Sequence, residues 1–276
     1  MKQKRSTNII SNIVAILLAV IMLFPILWII VCSFKPNREM FQKPLSFLPK
    51  EPTVEAYTVE LIKNHVFQGY LNSFIVAMGA LIIGLVLGVT AAYGLARFRM
   101  KGKKLALILF LVTQMLPASL MLTPMYLTYS KLGILNSYIA PIISIATVSI
   151  PFCVVTLRPF FLNLPKGLDD AARVDGCNAL TSFLRVMLPI AKPGVITAAA
   201  LSFIFGWNDL AFNMTFNTKE AFRPLTSILY NLMPMEGIRW SAVMALGTAT
   251  VMPIMVLFVA FQKFIIGGLT AGAVKE

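Results

Sequence analysis

Apolar residues run through this chain in long blocks, not in the short alternation of a half-buried strand or the one-sided stripe of a surface helix. Crossing a bilayer takes roughly 20 mostly apolar residues. Six blocks qualify: about Ile9–Phe34, Tyr70–Ala96, Leu105–Tyr129, Ser137–Leu157, Gly194–Phe216 and Trp240–Ile266. Each is expected to be a transmembrane helix, which makes the chain an all-α membrane protein of six spans. Lys2, Lys4 and Arg5 precede the first block as they would in a signal peptide. Its apolar part is too long for one, and no small-residue cleavage site follows, so it reads as a retained span.

Composition agrees. Of 276 residues, 58% are hydrophobic and 13% charged, and the mean hydropathy is +0.81. A soluble globule carries roughly 45–50% apolar and about 25% charged residues. A soluble enzyme, a disordered chain and a disulfide scaffold are excluded. Cys32, Cys153 and Cys177 are widely spaced, and His65 is the single histidine. They form no disulfide or metal pattern and read as structural.

The net charge of +13 is distributed unevenly. The loops on the N-terminal side of the membrane (1–8, 97–104, 158–193 and the tail from 263) hold fifteen of the 24 Lys and Arg. The opposite loops (35–66, 130–136 and 217–239) hold nine, with more of the acids. The densest cluster is Arg97, Arg99, Lys101, Lys103 and Lys104. The positive-inside rule puts that side, and both termini, in the cytoplasm. Topology then accounts for the basic excess, and no nucleic acid is needed as a partner.

A few polar side chains fall within the spans: Asn72, Gln114, Asn208, Asp209 and Asn213, with Trp207 beside them. Amides, a carboxylate and a stacking indole suit a sugar path. The same groups also glue helices together or cap their ends, and that is the favoured reading. Asp209 either marks a pathway or a buried partner, or reaches the headgroups from a helix end. Prolines 117, 124, 141, 151 and 253 predict kinks. Gly84-x-x-x-Gly88 predicts a close-packing face, within the chain or against a partner.

Residues 158–193 are too polar to span and predict two short helices and a turn. Asn163 is expected as an N-cap and Pro165 in the first turn. Asp169 and Asp170 follow near the positive end of the helix dipole. Gly176 ends the helix in the left-handed conformation. Asn178 begins a second helix with an apolar stripe of Phe183, Val186 and Met187, which Pro189 interrupts. A short helix with small residues on a polar loop is a docking shape; an interfacial hairpin would look alike.

Asp170-Ala171-Ala172, three residues, Gly176, nine residues, Val186, Met187, then Leu188-Pro189 resembles the EAA loop of ABC importer permeases, with Asp170 in the usual Glu place. Trp207-Asn208, Asn72-Ser73 and the tail Phe264–Lys275 resemble carbohydrate importer permeases of the MalG-like type. The resemblance covers most of the chain. It implies a type I ABC importer permease fold with a cytoplasmic coupling helix, in a bacterial or archaeal cytoplasmic membrane. Residues 1–69 would be the first span and external loop, 70–266 the transmembrane core and 267–276 a cytoplasmic tail. The chain would be one of two permease subunits, forming half of a sugar path. Its partners would be a cytoplasmic ATPase dimer, an external solute-binding protein and membrane lipid.

By the same resemblance, Asp170, Ala171, Ala172, Asp175, Gly176, Leu188 and Pro189 form the coupling element, with both alanines fitting a cleft of the ATPase. The loops 35–67 and 217–237 would face the binding protein. The chain has no phosphate-binding Gly-x-x-x-x-Gly-Lys-Ser/Thr loop. It is therefore expected to bind no cofactor, with ATP and magnesium on the partner, and not to be an enzyme. A membrane-embedded enzyme would need a catalytic constellation that is not visible. A stand-alone secondary transporter would favour inverted repeats and several buried ionisable residues.

Overall fold

The computed structural model describes residues 2–165, 167–233 and 237–270. Within them all regular structure is helical. The main elements are α1 (Lys2–Ser33), α2 (Val66–Arg97), α3 (Lys103–Met115), α4 (Ala118–Lys131), α5 (Ile139–Asn163) and α6 (Gly167–Val174). They continue with α7 (Ala179–Ser182), α8 (Lys192–Asn208), α9 (Ala211–Phe216), α10 (Leu225–Asn231) and α11 (Trp240–Thr270). Among the described residues four helices are long and apolar enough to cross a membrane alone, and two bent pairs raise the number to six if each pair is one span.

The first of these bends, and a separate break at Asp209, correct two of the expected spans. The third block is not one straight helix: α3 and α4 meet at 96°. Pro117 disfavours helical backbone in the residue before it, and Leu116 is extended there (ψ 122°). The fifth block stops as a continuous helix at Asn208, because Asp209 is extended (φ −67°, ψ 128°) and a separate turn, α9, follows. Pro25, Pro124, Pro151, Pro159 and Pro253 all lie inside continuous helices.

The chain divides into two compact units, residues 1–67 with 228–252 and residues 68–227 with 253–276. In the first, every residue of α1 from Ser11 to Phe24 is exposed. The connection after α1 is folded rather than open. Glu39 is buried and accepts hydrogen bonds from Ser46 Oγ (2.8 Å) and the Lys50 backbone N–H (2.9 Å). Lys35 is buried with its ammonium 4.8 Å from the centre of the Trp28 ring. Ser33 Oγ meets Tyr57 Oη at 2.6 Å.

The second unit packs α2 and α8 on α5. A Cβ on Gly84 would strike the Ser149 side chain, and one on Gly88 would strike Cys153. The glycine face therefore packs within the chain, on α5. Ser149 Oγ donates to Ser202 Oγ (2.8 Å), and Cys153 Sγ lies 3.2 Å from the same hydroxyl, so α5 and α8 are joined there. Towards the basic end of this unit Tyr93, Phe161, Phe183 and Met187 form one buried cluster. The Tyr93 and Phe183 rings are 4.8 Å apart, which anchors the segment after α7 to α2.

Candidate functional site

The polar segment folds as a helix, a turn and a second helix, with differences at both ends. Asn163 is the last residue of α5, not a cap, because α5 runs through Pro159. α6 begins at Gly167, with Asp169 and Asp170 in its first turn. Gly176 has φ +79°. Its N–H donates to Arg173 O (3.0 Å) and the Cys177 N–H donates to Ala172 O (2.8 Å), the paired bonds of a Schellman stop. Asn178 caps α7 by accepting the Thr181 N–H at 2.9 Å. Pro189 does not interrupt the second helix. Residues Phe183–Met187 form a π turn, in which the Leu188 N–H reaches Phe183 O, and a last helical turn continues to Ile190. A proline has no N–H for the carbonyl four residues back, here that of Arg185, and the wider turn accommodates the gap.

α6 is held from outside the motif. Arg97, the last residue of α2, donates to Leu164 O (3.1 Å) and Pro165 O (3.0 Å), and its Nε lies 3.1 Å from Asp169 Oδ2. Its side chain is 7% exposed. One guanidinium thus fixes both the chain entering α6 and the first turn of the helix. Sequence reasoning missed it: among five bases that a topology rule explains equally well, nothing in the chain singles out Arg97.

The structure separates the expected coupling residues by face. Ala172 is buried within the chain's own packing, so it is not a knob for a partner's cleft. Asp170, Ala171, Asp175 and Gly176 are exposed, Leu188 is half-buried and Pro189 exposed. Val174 is 87% exposed, an apolar tip that the motif did not mark.

Three of the six candidate path residues, Asn72, Asp209 and Asn213, are engaged in hydrogen bonds within the chain. Asn72 is fully buried. Its amide donates to Ala221 O and Arg223 O (both 2.9 Å), and its carbonyl accepts from Gln68 Nε2 (3.0 Å) and Tyr138 Oη (2.8 Å). Four bonds fill the capacity of one amide and leave none for a ligand. Asp209 sits at the helix break. Its Oδ2 accepts the Asn213 N–H (3.0 Å) and Nδ2 (2.9 Å), and its carbonyl accepts Thr226 Oγ1 (2.7 Å). Asp209 and Asn213 are therefore a pair that caps α9 and ties it to α10. Trp207 is buried, with rings of Phe203 at 5.5 Å and Tyr70 at 5.9 Å. It borders an apolar groove of about 710 Å³ with Phe74 and Pro253. Gln114 and Asn208 remain exposed. The tail residues 271–276 lie outside the described residues. Among the described residues no group of His, Cys, Asp and Glu is placed to hold a metal ion.

Residues 84–270 match the family described as the binding-protein-dependent transport system inner membrane component. The chain belongs to this family. It is a non-catalytic membrane subunit of an ABC transport system, which implies ATPase and binding-protein partners. It is 31% identical to the diacetylchitobiose uptake system permease protein DasC of Streptomyces coelicolor, over 100% of both chains. It is 32% identical to the trehalose/maltose transport system permease protein MalG of Thermococcus litoralis, over 100% of this chain and 99% of that one. Its fold matches a chain of a bacterial ABC transporter involved in the import of the acidic polysaccharide alginate (TM-score 0.79, 22% identity, 95% of this chain and 98% of that chain). The fold is thus that of an ABC importer permease.

Proposed function

We propose that this permease carries half of the path of an ATP-driven carbohydrate importer and receives the ATPase stroke on α6. The observation that carries the reading is the clamped, exposed helix. Arg97 and the Schellman stop fix its two ends, while Asp170, Ala171 and Val174 face outward. A force on that face reaches α2 through the Arg97 contacts. The whole-length likeness to permeases named for diacetylchitobiose and for trehalose and maltose supports a carbohydrate substrate.

In this reading a second, different permease subunit supplies the other half of the path. The basic loops, α6 and both termini are cytoplasmic, in the cytoplasmic membrane of a bacterium or archaeon. The solute-binding protein docks on the opposite face. ATP and magnesium sit on the partner ATPase and this chain holds no cofactor. Substrate and ATP shift the inward-open and outward-open states only through their different affinities for the two.

A tagged copy expressed from its native locus, gently solubilised and analysed by mass spectrometry, tests the assembly. Recovery with a second permease and a Walker-motif ATPase is expected. A retained binding protein would carry the sugar with it. Recovery of the folded chain alone, in good yield, would sink the proposal.

A further inference from the structure

The same end of the second unit contains a cavity of about 520 Å³ between the α2–α3 connection and the coupling helix. It is walled by charged and polar side chains, among them Arg97, Arg99, Lys103, Arg173, Asp169 and Asp170. Arg97 and Asp169 neutralise each other at 3.1 Å. That leaves Arg99, Lys103 and Arg173 against Asp170 alone. Ser182 also lines the cavity, with its hydroxyl buried. Guanidinium and ammonium groups donate only, and a serine hydroxyl can donate as well. The complement to such a wall is a compact anion with several acceptor oxygens.

We propose that this cavity binds the phosphate headgroup of an anionic phospholipid, bridging the membrane-embedded α2–α3 corner to the coupling helix. The placement selects a lipid. Arg99 and Lys103 lie between the end of α2 at Arg97 and the first turn of α3, which the six-span topology puts at headgroup depth. Phe98, Met100 and Leu105, all exposed beside them, offer apolar contact to the acyl chains. The lipid gives Arg99 and Lys103 on the corner and Arg173 on α6 a common counter-ion. The proposal rests on the cytoplasmic placement of α6, because anionic lipid concentrates in that leaflet.

The test uses the assembled transporter in phosphatidylcholine nanodiscs containing a minority of phosphatidylglycerol, with retained lipid counted by native mass spectrometry. Arg99→Gln with Lys103→Gln is compared with Lys101→Gln plus Lys104→Gln, which removes the same charge from the same loop but from outside the cavity lining. The cavity pair should retain roughly tenfold less phosphatidylglycerol than the control pair, since charge-assisted hydrogen bonds are lost only there. Arg99→Lys with Lys103→Arg should retain it. Equal loss in the cavity and control pairs would replace the site with diffuse attraction and overturn the proposal. Displacement of the lipid by millimolar inorganic phosphate would overturn the lipid as the source in favour of a soluble phosphoryl anion. Retention is read without sugar or ATP, so a wrong substrate assignment leaves the result intact.

Discussion

Arg97 holds α6 from outside the motif, through one carboxylate and two backbone carbonyls. Replacing it with alanine strands Asp169 and two backbone carbonyls, at about 1–3 kcal/mol. Arg97→Ala should still insert but lose uptake, with ATP hydrolysis no longer answering to substrate. Measured sugar uptake and stimulated ATPase rate in proteoliposomes check this, and normal values for both would remove Arg97 from the coupling path. Arg97→Lys should recover little, because one ammonium cannot serve a carboxylate and two carbonyls with the fixed fork of a guanidinium. The single-residue features legible in the chain were those with a conformational signature: Gly176 for its left-handed turn and Asn178 for its cap. Asn72, Asp209 and Asn213 look the same in sequence whether they meet a sugar or a backbone carbonyl. Their partners lie up to 151 positions away, as in the bond from Asn72 to Arg223.

At the scale of elements, the α2–α5 seam is a demanding contact. Gly84→Leu would drive a side chain into Ser149, and overpacking of this kind costs about 1–3 kcal/mol. The yield of monodisperse protein on size-exclusion chromatography should fall sharply. Gly94→Ala is the control, since nothing lies within 4 Å of the added Cβ. The folded connection after α1 should respond to pH. The Lys50 backbone N–H, then the Ser46 hydroxyl, hold the Glu39 carboxyl below the usual value of 4.5. A lowered native pKa gives stability that is present above the unfolded value and lost as pH falls through the native one. Amide-exchange protection of residues 36–55, corrected for intrinsic rates, should stay level down to about pH 5 and decline below 4.5. Glu39→Gln should lower protection at neutral pH and flatten the curve. Long apolar runs were enough to place the helices that span. The bend at Pro117 was among the expected kinks, but which proline would break a helix was not legible, since Pro151 and Pro253 stay inside continuous ones, and nothing marked the break at Asp209. Packing decides between a bend and a straight passage.

For the whole molecule, the proposed coupling makes the exposed face of α6 the surface to test for ATPase docking. Ala171→Trp should block co-purification of the ATPase while leaving the permease pair intact. Ala172→Trp should instead lower the yield of folded chain, because that alanine is buried. Pull-down with the ATPase, scored against membrane abundance of both variants, separates the two outcomes. Retained ATPase in the Ala171 variant would move docking to another surface. The fold class was readable beforehand from solvent preference, and the helix–turn–helix of the polar loop from its capping and turn residues. The division of labour within that loop was not, because the two adjacent alanines differ only in the direction they face.

The bare stretch of α1 bears on how this protein can change over generations. Between Ser11 and Leu23 no side chain is buried, so burial among the described residues does not read the order of those letters, only their sum. Leu, Ile, Val and Met can trade places there at little cost to the fold, whereas Gly84 admits one letter. Drift should accumulate along the first helix as synonyms of a single instruction, to remain in oil, while the seam stays fixed.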